Sequence, residues 1–310
     1  MKALICGSIA YDTIMVFQDC FKNHILPDQV HILNVSFLVP ELRREYGGCA
    51  GNIAYNLKLL GGSPLPMAAV GQDFGPYSEW MTQCGIPQEH IWEVEDSYTA
   101  QAYITTDMDD NQITAFHPGA MNFAHGKKIQ VNSNVNIGII SPDGKDGMEQ
   151  HATQFADAGI PFIFDPGQGL PMFNGEELKR FIDQASWVTL NGYEAQLVQE
   201  RTGLSPKQIA ERVKAVIVTH GGDGSEIFTQ EQSYEIPVAK PNKVVDPTGC
   251  GDAYRAGLIY GLLEGMDWKT IGRIASLMGA TKVESSGTQN HSFEMTSFRD
   301  RFRNNFGYAL

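Results

Sequence analysis

The sequence predicts a doubly wound α/β fold: a mostly parallel sheet with helices on both faces and a small β-sheet lid. Three observations carry this. From about residue 135 onward, short apolar runs alternate with segments of helical periodicity, the pattern of repeated βα units. The apolar runs are short and bounded by turn residues, as strands buried inside a parallel sheet are. Two helix-poor patches, near 13–46 and 98–118, break the alternation. Strands inserted at two points most economically form one small second sheet. Open α/β sheets bind ligands at the carboxyl ends of their strands, so a lid is expected there.

In order, "KALICGSI" reads as a buried strand. "TIMVF", "HILNVSFLV" and "LRREY" follow as strands with no helix between them. "AGNIAYNLKLLGG" spaces Ile53, Leu57 and Leu60 on one helix face, with Gly61 as the stop. "LPMAAV" is a strand and "GPYSEWMTQCG" a helix. "TAQAYITTD" and "QITAFHP" flank the turn residues "MDDN" as a hairpin. Strands "NIGIISP", "PFIFDPG", "WVTL" and "AVIVTHGG" then alternate with helices "GMEQHATQFADAG", "GEELKRFIDQA" and "GYEAQLVQERTG". "SEIFTQEQSYEIP" reads as a hairpin. Helices are expected over 249–263, 268–284 and 293–302. The whole, 1–310, reads as one α/β domain with no internal repeat or long linker.

Composition excludes several classes. The chain holds 23 Lys and Arg against 36 Asp and Glu, a formal charge of -13. That balance, without a basic run, disfavours nucleic acid as a partner. No stretch approaches the length of a membrane span, and the N-terminal apolar run is too short for a signal peptide. The five cysteines, Cys6, Cys20, Cys49, Cys84 and Cys250, form no CxxC pair. Free thiols in a reducing cytoplasm are therefore expected. The eight histidines show no metal-ligand spacing.

The chemistry concentrates in "DPTGCGDAYRAGLIYGLL", from Asp246. Pro247 imposes an extended or turn conformation on Asp246. Gly249 and Gly251 permit a tight turn, and a helix then starts. Its first amides lack partners inside the helix, and with the helix dipole they form a site for negative charge. Asp252 lies in that first turn. A carboxylate beside an anion hole suits proton removal from a hydroxyl while the hole holds the group under attack. Phosphoryl transfer to an alcohol requires that arrangement. The bland alternative is a helix-start carboxylate after a glycine turn. Arg255 reads equally as a phosphate contact or as an i,i+3 partner of Asp252. Cys250 reads as a small neutral residue rather than a reactive thiol.

"YGGCAGNIAYNLKLLGG" supplies a second glycine loop, with Gly47, Gly48 and Gly51, before another helix start. Asn52 offers a carbonyl and two N–H donors, suited to a polyol. A dinucleotide-binding reading fails on context, because that loop should follow the first strand, which ends at "CGSIAYD" with one glycine.

These two stretches resemble, in order and in separation, the two signatures of the ribokinase (PfkB-type) family of carbohydrate and nucleoside kinases. "NGYE" from Asn191 resembles its N-x-x-E element, and "VTHGGDGS" from Val218 its nucleotide-binding stretch. The likeness covers nearly the whole chain. It implies a Rossmann-like core with a β lid, ATP as phosphoryl donor, and magnesium. It implies Asp252 as catalytic base and the amides of Gly249, Cys250 and Gly251 as anion hole. Asn191 and Glu194 would organise Mg2+ and the phosphates, Glu194 through water. Thr219, Gly221, Gly222 and Gly224 would lie along ATP. Asp12 matches an aspartate that pairs with two sugar hydroxyls, with Gly47, Gly48 and Asn52 lining the same pocket. A K+ site in the family uses backbone oxygens near Asp246 and Thr248 and on the segment near Ser286. Pro247 and Cys250 depart from the commoner threonine and alanine, and leave the glycines and Asp252 intact.

The acceptor follows from what the pocket offers. "GGCAGN", "FHPGAM" and "FDPGQG" contain no Lys or Arg to hold a second phosphate, which argues against a sugar phosphate. The lid supplies Tyr103 and Phe116 for a flat base, although lid packing alone is the plainer role for Phe116. Gln168 offers a donor and an acceptor. "FDPGQGLP" and "DPTGCGDAYRAG" look more like microbial nucleoside and adenosine kinases than ribokinases proper. Adenosine or another purine nucleoside is favoured, with a free sugar such as ribose or fructose as the alternative. A non-catalytic binding protein on the same fold is the competing class. Exposed lid edges suggest a homodimer.

Overall fold

The computed structural model describes residues 1–25, 34–109, 111–130 and 134–310. Nine strands form one sheet. Seven run parallel: β1 (Lys2–Cys6), β4 (Ser63–Val70), β5 (Ile91–Glu93), β8 (Val135–Ile140), β9 (Phe162–Phe164), β10 (Trp187–Asn191) and β11 (Ala215–Thr219). The hairpin of β12 (Ser225–Phe228) and β13 (Ser233–Ile236) adds two antiparallel strands at one edge. Across the sheet the order is β13-β12-β11-β10-β9-β8-β1-β4-β5. The order reverses direction at β1, which has β8 on one side and β4 on the other.

Alternation within β1 shows why both faces are covered. Ala3 and Ile5 point into one core, and Leu4 and Cys6 into the other. The first core holds α1 (Cys49–Leu59), α2 (Gly75–Gln83), α7 (Cys250–Leu263) and α8 (Trp268–Lys282). The second holds α3 (Lys145–Asp157), α4 (Gly175–Gln184), α5 (Gly192–Thr202) and the short α6 (Pro206–Ala210). Capping boxes fix three helix starts: Asn174 with Glu177, Asn191 with Glu194, and Ser205 with Gln208. Helix α9 (Met295–Phe306) packs Phe298 and Phe302 against α8 residues and runs past the expected end at 302.

The lid is a separate four-stranded sheet of β2 (Ala10–Val16), β3 (Glu41–Gly47), β6 (Ala100–Thr106) and β7 (Gln112–His117), in the order β3-β2-β6-β7. Both helix-poor patches contribute to it. The strand expected at 31–39 lies partly outside the described residues, and 34–40 form no strand. No helix among the described residues is long and apolar enough to cross a membrane. All five cysteines are free thiols.

Candidate active site

The reversal of strand order at β1 opens a crevice at the carboxyl ends of the strands, and α1 and α7 both begin above it. The turn before α7 needs Gly249, whose φ of 79° belongs to the left-handed region. A Cβ there would also press on the Thr288 side chain at 3.0 Å. The helix starts at Cys250, so Asp252 falls in its first turn beside the free amides.

Asn52, on α1, lies 200 residues away in sequence and donates from Nδ2 to Asp252 Oδ2 at 2.8 Å. Burial pushes the Asp252 carboxyl up to about 6, against the downward pull of Asn52 and Arg255. The group is thus ionised at neutral pH and still basic enough to accept a proton. Arg255 does not pair directly with Asp252. Its Nε and Nη2 donate to Asp165 Oδ2 and Oδ1, each at 2.9 Å, in a buried bidentate pair. That pair ties the start of α7 to the end of β9. The thiol of Cys250, at the start of α7, is pushed up to about 11 by burial, so it stays protonated and neutral.

A chain of side-chain amides stands behind Asn52. Trp80 Nε1 donates to Gln289 Oε1 at 2.9 Å. Gln289 Nε2 donates to Asn52 Oδ1 at 3.0 Å and to Tyr77 OH at 2.6 Å. Tyr77 OH donates to Gly47 O at 2.8 Å. An indole N–H can only donate, so the direction of the whole chain is fixed from Trp80 inward. Asn52 must turn its NH2, rather than its carbonyl, toward Asp252.

Asp12 sits on β2, over the crevice. Gly47 must be glycine here, because a Cβ would lie 2.4 Å from Asp12 Oδ2. Gly48 caps α1. Burial, then the charges of Glu45 and Asp246, raise Asp12 to about 6. The lid register pairs Asp12 with Ala102 and Ala102 with Phe116, so Asp12 and Phe116 share one face. Tyr103 pairs with Thr13, one residue on, and so lies on the opposite face. Its hydroxyl donates to Gln101 Oε1 at 2.8 Å, and Gln101 Nε2 reaches Asp73 Oδ2 at 3.0 Å. Tyr103 therefore belongs to the contacts fastening the lid to the main sheet, not to the surface facing Asp12. Gln168 lies in the turn after β9, with its side chain exposed.

Beside the start of α7 lies an apolar cavity of about 420 Å3. Thr219, Gly221, Gly222 and Gly224 line one wall, and Val244, Tyr254 and Val283 line others. Cys250 and Gly251, at the start of α7, line it as well.

The model of the pfkB family carbohydrate kinases matches residues 11–295. The chain belongs to this family. Among solved structures, the nucleoside kinase of Burkholderia thailandensis in complex with inosine superposes with a TM-score of 0.90, at 49% identity over 99% of each chain. The same enzyme in complex with ADP-inosine superposes at 0.88, with 51% identity over 99% of this chain and 97% of that one. The nucleoside kinase of Methanocaldococcus jannaschii is 34% identical over 83% of this chain and 85% of its own length. The fold is ribokinase-like, with the large sheet and the separate lid sheet.

As a kinase of this family the chain is implied to use magnesium. Among the described residues no group of three or more acidic, His or Cys side chains could hold a metal. That suits magnesium held mainly by phosphates and water. Glu194 fits one such contact. Its Oε2 and Oε1 already accept from Asn191 N at 2.7 Å and Nδ2 at 2.8 Å, so contact with the ion would run through water. When bound with ATP, magnesium neutralises phosphate charge. Potassium does not fit: a lysine nitrogen already occupies the carbonyl oxygen of Asp246. The sequence reading missed that lysine, Lys282, together with Trp80, Tyr77, Gln289, Asp165 and Asp73. All act through contacts between residues distant along the chain, which no local motif announces.

Proposed function

We propose that this kinase transfers the γ-phosphoryl group of ATP to the 5′-hydroxyl of a nucleoside, with purine nucleosides, adenosine among them, as preferred acceptors. The observation that carries it is the position of Asp252. It stands in the first turn of α7, next to Gly251 in the wall of the apolar cavity and hydrogen-bonded to Asn52, and its environment raises it to about 6. Asp252 takes the proton of the attacking hydroxyl. The amides of Gly249, Cys250 and Gly251 hold the transferring group. Asp12 and Asn52 hold the ribose hydroxyls, and Gly47 and Gly48 present backbone to the same ring. Phe116, exposed on the Asp12 face, covers the base. Thr219, Gly221, Gly222 and Gly224 run along the nucleotide, and Asn191 and Glu194 approach its phosphates. Lid closure would exclude water as a competing acceptor. The outer lid face, where Leu42, Tyr103 and Ile113 are exposed, supports self-association.

The relatives that bind or carry nucleosides support this acceptor over a free sugar. The test is ATP consumption with adenosine, inosine, guanosine, cytidine, ribose, fructose and fructose 6-phosphate. Turnover of a free sugar without turnover of any nucleoside would overturn the acceptor and leave the kinase intact. Asp252→Asn should abolish turnover and keep ATP binding; wild-type activity in that variant would remove Asp252 as base.

A further inference from the structure

Lys282, the last residue of α8, has no exposed surface, although lysine is rarely buried without a partner. Its Nζ donates to two backbone carbonyls, Asp246 O at 2.9 Å and Ser285 O at 3.1 Å. Those carbonyls come from two segments that meet behind the anion loop. Asp246 N and Val245 N donate to Val283 O. The Asp246 carboxylate in turn accepts from Thr248 N and Gly287 N, each at 2.9 Å. The loop that ends at Gly249 is therefore held by Asp246, and Asp246 is held by Lys282. Burial pulls the lysine down from its ordinary value, while Asp246 and then Cys250 pull it back up. His291, the other titratable group that senses it, is held well below its ordinary range by burial and by this charge.

A buried ammonium bound to converging carbonyls does what a dehydrated monovalent cation does. It neutralises their dipoles and locks the segments that carry them. A second cation on the same oxygens would be repelled by the first. We infer that Lys282 is a tethered monovalent cation that organises the Asp246–Gly249 loop, making this chain independent of potassium. A methionine would fill the same space without the cost of desolvating a charge, so the charge itself needs a role.

The experiment compares wild type with Lys282→Ala and Lys282→Met in tetramethylammonium, potassium, ammonium and lithium chlorides at one ionic strength. Two readouts are taken: initial rate with ATP and inosine, and melting temperature without substrate. The wild type should respond to potassium in neither. Lys282→Ala should lose about tenfold or more in rate in tetramethylammonium, the worth of one charge-assisted hydrogen bond. Potassium or ammonium, but not lithium, should restore rate and raise its melting temperature. Lys282→Met keeps the volume, so it should fold, lose the rate and resist rescue. A wild type stimulated by potassium overturns the inference, even if neither variant folds. So does a Lys282→Met enzyme as fast as wild type in tetramethylammonium. The melting readout needs no acceptor, so a wrong acceptor and a wrong cation assignment give different results.

Discussion

Replacing Gln289 by leucine tests whether the amide chain sets the base. Leucine keeps the volume and removes both ends of the relay between Trp80 and Asn52. Tyr77 still donates to Gly47 O, so its hydroxyl stays satisfied. Asn52 is then free to rotate its amide, and half of its orientations point a carbonyl at the Asp252 carboxylate. A hydrogen bond to a charged group is worth about 1.5–3 kcal/mol, and a tenfold change in an equilibrium about 1.4 kcal/mol. Sharing time between two orientations weakens that donor by about RT ln 2, roughly 0.4 kcal/mol, so Asp252 should rise by about 0.3 of a unit from its value of about 6, with about one unit as the ceiling if the donor were lost altogether. Arg255, Asp165 and the thiols of Cys49 and Cys250 also interact with Asp252, and leucine touches none of their contacts; Tyr77, the further titratable group that senses Asp252, loses its bond from Gln289 and keeps the one to Gly47 O. As the proposed base, Asp252 would work as the carboxylate, so activity should fall as pH drops through its pKa. The acid limb of kcat/KM, which reports the free enzyme, should move toward neutral pH in Gln289→Leu. The rate at high pH should change much less. Trp80→Phe should move the limb the same way by a smaller amount, because Gln289 loses its fixed direction but keeps its place. A Gln289→Leu profile whose limb stays at the wild-type pH would refute the reasoning, whatever happens to the absolute rate.

Three other outcomes are expected. Glu194→Gln should raise the magnesium concentration needed for half-maximal rate, and an unchanged metal titration would count against its role. Asp143 is buried, has one carboxyl oxygen without a partner, and is pushed up by burial to about 8. It binds a proton in the folded state that the unfolded chain has already released above about 4, so it lowers stability as pH rises from there to about 8. Asp143→Asn, which keeps a carbonyl for the Gly144 amide, should therefore raise the melting temperature, and more at pH near 7.5 than near 5. An equal gain at both values would show that Asp143 is not titrating. Leu42→Glu on the outer lid face should weaken self-association; sedimentation showing only monomer in the wild type at micromolar concentration would remove the dimer altogether.

The fold was legible because its signals are local. The strand from Lys2 to Cys6 and the helix from Cys250 to Leu263 each declare themselves within their own residues. So does Gly249 before α7, since a left-handed turn before a helix needs glycine. The lid strands were legible in place but not in orientation. Tyr103 and Asp12 are both lid residues, yet a difference of one residue in cross-strand register sends them to opposite faces. Register is set by pairing across the sheet, which the residues of one strand do not specify. The same limit hid Asp165. The sequence offered Asp252 as the i,i+3 neighbour of Arg255, the pairing that helix geometry favours. The folded chain instead gives Arg255 a bidentate partner in Asp165, just after β9, because a guanidinium is better satisfied by a fork of two oxygens than by a carboxylate already bonded to Asn52.

Lys282 is the sharpest case. In sequence it is the basic residue in the last turn of a helix, where lysine is ordinary and favours the helix dipole. Nothing in "GATKVESSG" separates that surface role from a buried one. What separates them is the convergence of Asp246 and Ser285 on a single point, 36 residues from Lys282 in one case and three in the other. Backbone carbonyls carry no sequence signature, so a site built from them can be found only after the chain is folded. The same reasoning explains why a motif comparison led to potassium. The loop bearing Asp246 is present in full, and a motif describes that loop. It does not describe the helix end that delivers a charge to it. Changing the occupant of such a site therefore needs only one substitution at a position the motif does not cover, and the loop, the helix start and Asp252 are left as they were.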